Sequence, residues 1–146
     1  MHQAKDHSRA AIDWRFPVGL LLAFVLHNME EALTFGAYRE TSQELIRRIA
    51  FRHYAAPSID AFLIALAAVS ICAALSMAWA IRHPSKGSAL FLVKGLAWIM
   101  LLNVVLPHIP AAILLGGYAP GVVTAVFVNL PIAGLVLVRL SHATAQ

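Results

Sequence analysis

The chain is poor in charged residues and in cysteine. Of its 146 residues 12% are charged, which is about half the share that soluble domains use to cover their surface. A single cysteine, Cys72, excludes an intramolecular disulfide framework. No basic stripe with interleaved aromatic residues is present, so nucleic acid is not an expected partner. With 60% hydrophobic residues and a mean hydropathy of +0.76, the composition is typical of a membrane protein.

Four apolar segments are long enough to cross a membrane, which takes about 20 helical residues. They cover approximately residues 16–35, 59–81, 88–108 and 121–140. Because the connections are short, we predict one all-α domain over residues 1–146, an integral membrane four-helix bundle with up-and-down order. The apolar core of the first segment runs straight into two glutamates, and no small-x-small cleavage site follows them, which argues against a cleaved signal peptide.

A short amphipathic interfacial helix is predicted between spans 1 and 2. Thr41 followed by Glu44 fits a capping box, with Thr41 as the N-cap residue. Beyond it, apolar residues at 45, 46, 49 and 50 recur at helical spacing, with arginines at 47, 48 and 52 on the other side. Such a helix either lies among the lipid headgroups or packs on the bundle outside the membrane.

The distribution of basic residues favours cytoplasmic termini. Four spans place both termini on one side of the membrane, where six Lys and Arg residues lie, against four on the other side. The six are Lys5, Arg9, Arg15, Arg82, Lys86 and Arg139, and the four are Arg39, Arg47, Arg48 and Arg52. We therefore expect a multi-pass protein of the cell membrane, surrounded by lipid, with both termini in the cytoplasm.

The run from His27 to Glu31, HNMEE, places three ionisable side chains inside the first span. Each costs at least about 2.5–3.5 kcal/mol at bilayer depth, so three close together indicate a shared use. At about 100° per residue, His27, Glu30 and Glu31 project within an arc of about 100° and can reach one point. An imidazole and two carboxylates form half of a site for a divalent metal such as zinc or iron.

Other intramembrane polar residues fall at the same end of an up-and-down bundle. His108, late in span 3, is the natural residue to complete a metal site with His27, Glu30 and Glu31. The predicted supporting polar residues are Asn103, Asp60 and Asn129, with Thr124 beside them and His53 as a further candidate ligand. Simpler explanations stand beside these: interhelical hydrogen bonds for Asn103, Asn129 and Thr124, and a favourable helix-dipole position for Asp60. Prolines 107 and 131, which lack an N–H, should interrupt helical hydrogen bonding close to Asn103 and Asn129.

A histidine, two free positions and two glutamates in an early membrane span resemble the HXXEE family of small integral membrane proteins. The motif stands here as His27, Glu30 and Glu31. The later segments 103–108, NVVLPH, and 118–121, YAPG, are similar to the rest of that family's pattern. The resemblance implies a membrane fold and draws attention to these residues. It implies no reaction, because the family has none assigned.

Three functions follow from the residues. The favoured one is a membrane-embedded metal-dependent enzyme acting on a lipophilic substrate, with Glu30 and Glu31 as catalytic groups and zinc for hydrolysis or iron for oxidation. The second is a small proton- or ion-coupled transporter, which at this length would have to form a homodimer. The third is a non-catalytic membrane subunit whose polar cluster holds the helices together.

Overall fold

The computed structural model describes residues 11–49 and 57–143, and this part of the chain consists of helices and turns without a strand. The elements are α1 (Arg15–Ile49), α2 (Ile59–Arg82), α3 (Gly87–Asn103), a first π segment (Val104–His108), α4 (Ile109–Leu115), α5 (Val122–Thr124), a second π segment (Ala125–Asn129) and α6 (Leu130–Ala143). The predicted all-α fold is confirmed.

Four helical spans are long and apolar enough to cross a membrane. They are Arg15–Thr41, Ile59–Arg82, Gly87–Leu115 and Val122–His142. Span 3 joins α3, the first π segment and α4, while span 4 joins α5, the second π segment and α6. Many large apolar side chains face outward, among them Leu33, Phe91 and Phe127, each at least 75% exposed. Such outward faces suit lipid, which is as apolar as the side chains themselves.

Small and slender side chains fill the space between the spans in the half of the bundle nearer the termini. Alanines let helix backbones approach closely, and they are buried on α2, α3 and α6 as well as α1. Leu20, Met77, Val93 and Met100 fill what remains and are at most 1% exposed. The buried alanines of this cluster are Ala23, Ala73, Ala80, Ala89, Ala97 and Ala133. This apolar core fills the half of the bundle nearer the termini, and the polar residues lie in the other half.

Helix α1 is continuous, so the predicted separate interfacial helix is wrong within the described residues. It runs for 35 residues, about 52 Å at 1.5 Å per residue, and passes Thr41 and Glu44 without a break. A capping side chain stabilises a helix start because the first N–H groups there lack partners. After Thr41 the preceding turn of α1 supplies those partners. Residues 50–56, including the candidate ligand His53, lie outside the described residues.

Two π turns widen the helices, one late in span 3 and one early in span 4. The N–H of Ile109 bonds to the carbonyl of Val104, and the N–H of Leu130 bonds to the carbonyl of Ala125, each five residues back. Pro107 lies inside the first π segment and a second proline follows the other. Proline has no N–H to donate to the carbonyl four residues back. In the wider turn, backbone hydrogen bonds join residues five apart instead. Single π turns are frequent at functional sites.

Candidate metal centre

His27, Glu31 and His108 meet at one point between spans 1 and 3. Oε1 of Glu31 lies 3.3 Å from Nε2 of His108 and 3.7 Å from Nε2 of His27. One donor atom from each side chain lies within 4.8 Å of the other two. Both imidazoles are shielded, with His27 0% and His108 4% exposed. Three of the four side chains predicted as ligands are therefore close enough to share one ion.

Local helix geometry places these three side chains. His27 and Glu31 are four residues apart on α1 and so lie on the same face, one turn apart. His108 owes its position to the first π segment. In an α-helix, residues five apart differ by about 140° around the axis, whereas here the side chains of Asn103 and His108 come within 3.0 Å. The ring of His108 packs edge-on against that of His27, with centroids 4.7 Å apart.

The hydrogen bonds of His27 determine which ring nitrogen faces the site. Its Nδ1 lies 3.0 Å from Oγ1 of Thr124, and the Thr124 hydroxyl donates to Oε2 of Glu30. A hydroxyl has a single hydrogen, so Thr124 accepts from His27 and Nδ1 carries the proton. Nε2 of His27 consequently presents its lone pair to the space shared with Glu31.

His108 is oriented in the same sense. Its Nε2 lies 3.0 Å from Nδ2 of Asn103. An amide nitrogen can only donate, so Nε2 of His108 presents its lone pair and Nδ1 carries the proton. In histidines that bind metals, the second ring nitrogen usually carries the proton, and the hydrogen bond that it donates holds the ring and its tautomer in place.

Glu30 lies outside the group of three and bonds to the start of span 4 instead. Oε1 accepts from the hydroxyl of Tyr118 at 2.7 Å and from the N–H of Val123 at 3.3 Å. Oε2 accepts from the N–H of Thr124 at 2.7 Å and from its hydroxyl. The first N–H groups of a helix have no partner within it, so Glu30 caps span 4 from α1. Burial raises the pKa of the Tyr118 hydroxyl, which keeps it protonated as a donor.

Gly121 closes the site from the side of the connection between spans 3 and 4. Its φ is +80°, and a Cβ at this position would lie 2.7 Å from His108, 2.8 Å from Glu31 and 2.9 Å from His27. No side chain fits that space, and the left-handed backbone itself favours glycine. The role of Gly121 was not inferred from the sequence, although its place after Pro120 and before a span was a signal for a turn.

The remaining predicted residues divide between the site and the rest of the fold. Asn103 joins the site, because its Nδ2 lies 2.9 Å from Nε2 of His27 and 3.0 Å from Nε2 of His108. Asn129 is fully buried, and its side-chain atoms have no hydrogen-bond partner among the described residues. Asp60 is exposed in the first turn of α2, where Ser58 caps the helix, and it does not join the group.

Comparison with known proteins places the chain in a family but assigns no reaction. A family model described as a protein of unknown function with HXXEE motif matches residues 18–136. An uncharacterized protein, YrkK, of Bacillus subtilis (strain 168) is 25% identical over 118 residues, which cover 81% of this chain and 70% of the relative. No solved structure matches. Since the match extends over most of the four spans and includes the motif itself, this chain belongs to the HXXEE family.

Proposed function

We propose that this protein is a membrane-embedded enzyme that uses one divalent metal ion to act on a lipophilic substrate. The observation that carries the proposal is the convergence of Nε2 of His27, Nε2 of His108 and Oε1 of Glu31 on one point. Two imidazoles and one carboxylate form the donor set of many catalytic zinc sites and of non-haem iron oxygenases.

The spacing of the donor atoms supports a metal ion. Ligand atoms bound about 2.0–2.1 Å from one ion lie about 2.8–3.4 Å from each other. The separations between Glu31 and the two histidines, 3.3 and 3.7 Å, are within a few tenths of an ångström of this range. The two histidine nitrogens lie within 4.8 Å of each other and would move closer together on binding an ion. Both histidines already present the nitrogen lone pairs that a metal needs.

The charges of the two adjacent glutamates also suit a divalent ion. A net charge buried at this depth is costly, and a neutral cluster is far less so. Glu31 would offset one positive charge of the ion directly. Glu30 accepts four hydrogen bonds from donors alone, which is the pattern of an ionised carboxylate, and would offset the second from nearby. We therefore propose Glu31 as a ligand and Glu30 as a positioning residue.

The reaction we propose first is hydrolysis, because it needs no co-reactant other than water. A zinc ion in this donor set activates water for hydrolysis, and an iron ion activates dioxygen for oxidation. His27, His108 and Glu31 would bind the ion, while Thr124 and Glu30 hold His27 in position. Apolar side chains that face outward beside the site, among them Met29 at 55% and Val105 at 55% exposed, support approach of a lipophilic substrate from the bilayer.

A lipid turnover assay tests this function. The protein in nanodiscs, loaded with zinc or with iron, is incubated with a total lipid extract in water enriched in oxygen-18, and the products are read by mass spectrometry. Hydrolysis gives products that carry the heavy oxygen from water, whereas oxidation gives products that carry oxygen from air. We expect turnover by the wild type and none by Glu31→Gln. Equal product from both proteins, or none from the loaded wild type, would contradict the proposal.

We also propose that both termini face the cytoplasm, which places the site in the opposite half of the membrane. The basic residues at the terminal end of the bundle, such as Arg82 and Arg139, support this orientation. A fluorescent protein fused after residue 146 should fold and emit light, and alkaline phosphatase inserted at Gly117 should be active. The reverse pattern would show the opposite orientation.

A further inference from the structure

Asn103 lies against both histidines of the candidate metal centre. We propose that the side-chain oxygen of Asn103 is a fourth protein ligand, and that the amide turns over when the ion binds. The inference rests on the proposed metal centre and adds to it a ligand from outside the HXXEE motif. It also gives the Asn103 side chain two roles. Its nitrogen donates to the histidines when no ion is bound, and its oxygen binds the ion when one is present.

The position of the amide is that of a ligand. Its nitrogen lies 2.9 Å from Nε2 of His27 and 3.0 Å from Nε2 of His108. Those separations fall within the range of about 2.8–3.4 Å expected between neighbouring ligands on one ion. These are also ordinary hydrogen-bond distances, so the end of the Asn103 side chain lies where it can donate to both histidines or, once turned over, bind the same ion as they do.

The two hydrogens of the amide explain how the two histidines are satisfied without an ion. Both histidines present a lone pair on Nε2, and each lone pair needs a donor when it is buried. The Asn103 amide donates one hydrogen to His27 and the other to His108. A histidine pair that would otherwise be unsatisfied in the bundle is thereby held in its ligand orientation.

The same amide can serve the metal-bound state without a change of shape. Once an ion takes both lone pairs, the amide hydrogens would point toward a cation. A half-turn about the Cβ–Cγ bond exchanges nitrogen for oxygen, because the two ends of the amide are nearly equal in size and this torsion is roughly two-fold. The resulting set of two imidazoles, one carboxylate and one carbonyl oxygen suits zinc, iron or manganese better than copper(I).

Binding of Co²⁺ to the detergent-purified protein tests the proposal, because its visible absorption reports the ligands. Asn103→Asp keeps the oxygen and loses the donor, whereas Asn103→Leu loses both. We expect Asn103→Asp to bind Co²⁺ at least as tightly as the wild type with a shifted spectrum. We expect Asn103→Leu to bind at least about tenfold more weakly. Asn28→Ala is the matched control, because Asn28 is also buried but bonds to Ser70 on α2, and it should bind as the wild type does.

The outcomes separate this inference from the proposed function. Equal losses in Asn103→Asp and Asn103→Leu would show that Asn103 acts as a donor alone and would overturn the inference. A wild-type spectrum and affinity in Asn103→Leu would do the same. If the wild type binds no Co²⁺, the metal centre itself is wrong and the inference falls with it.

A second measurement uses the wild type and does not depend on how the variants fold. The chain has three asparagines, at 28, 103 and 129. Labelling them with carbon-13 at the amide carbon allows infrared difference spectra between the metal-free and the zinc-loaded protein. We expect one of the three carbonyl bands to shift on loading while two stay in place. No shift of any labelled band would overturn the inference.

Discussion

The hydroxyl of Thr124 lies 3.0 Å from Nδ1 of His27, and through this contact a residue of span 4 orients the imidazole ring of a residue of span 1. Because the hydroxyl donates to Glu30, it accepts from His27 and turns the other ring nitrogen toward Glu31. The two adjacent glutamates of the motif therefore act differently. Glu31 reaches the histidines directly, and Glu30 acts on His27 through Thr124.

Removing the Thr124 hydroxyl should weaken metal binding. Thr124→Val keeps the shape of the side chain and leaves Nδ1 of His27 without its acceptor. We expect affinity to fall about 10- to 100-fold, the usual effect of losing a partner that orients a metal ligand. Competition against a chelating dye measures this loss. Thr124→Ser should recover most of the affinity, and wild-type affinity in Thr124→Val would contradict the role assigned to the hydroxyl.

The two glutamates should give different results when each is changed to glutamine. Glu31→Gln should lose the metal, because it removes the carboxylate ligand. Glu30→Gln should keep about one ion per chain with lower affinity, and should unfold more easily, since a hydrogen bond to a charged group contributes about 1.5–3 kcal/mol. Metal analysis and thermal unfolding in detergent measure both effects.

Glu40→Gln is the control for these variants, because Glu40 is exposed on α1 beyond the site. It should match the wild type in both measurements. Loss of metal in Glu30→Gln together with normal binding in Glu31→Gln would reverse the proposed roles.

Gly121→Ala should disrupt the site, and Gly116→Ala is its matched control. Both glycines have positive φ, +80° and +67°, so alanine costs about 1–2 kcal/mol of backbone strain at either position. A Cβ at 116 meets nothing within 4 Å, whereas at 121 it meets His108, Glu31 and His27. We expect Gly116→Ala to keep its metal and Gly121→Ala to lose it. Equal metal content in the two variants would show that close packing at Gly121 is unimportant for the site.

Hydropathy and helix periodicity were sufficient to predict the four spans and much of the side-chain arrangement of the candidate site. The spacing of His27 and Glu31 follows from the α-helical turn alone. The contribution of His108 follows from the up-and-down order, which brings the end of span 3 beside the far half of span 1. These predictions depend on regular geometry, which a sequence reports well.

The remaining features depend on contacts that no local pattern reports. Thr41 and Glu44 fit a capping box, but no helix begins there because the hydrogen bonds of α1 continue through Thr41. The partners of Glu30 come from the connection between spans 3 and 4 and from the start of span 4. The proline pattern predicted an interruption near Asn103 but not the π turn that turns His108 inward. Gly121 could be assigned to the site once the three side chains around it were placed.

The metal content of the purified protein tests the central claim most directly. Elemental analysis should be run on the wild type, on His108→Ala and on His83→Ala, in which the altered histidine bonds to the Trp79 carbonyl at the opposite end of the bundle. We predict about one zinc or iron ion per chain in the wild type and in His83→Ala, and none in His108→Ala. Equal metal content in all three proteins, or none in the wild type, would contradict the claim that His27, Glu31 and His108 bind an ion together.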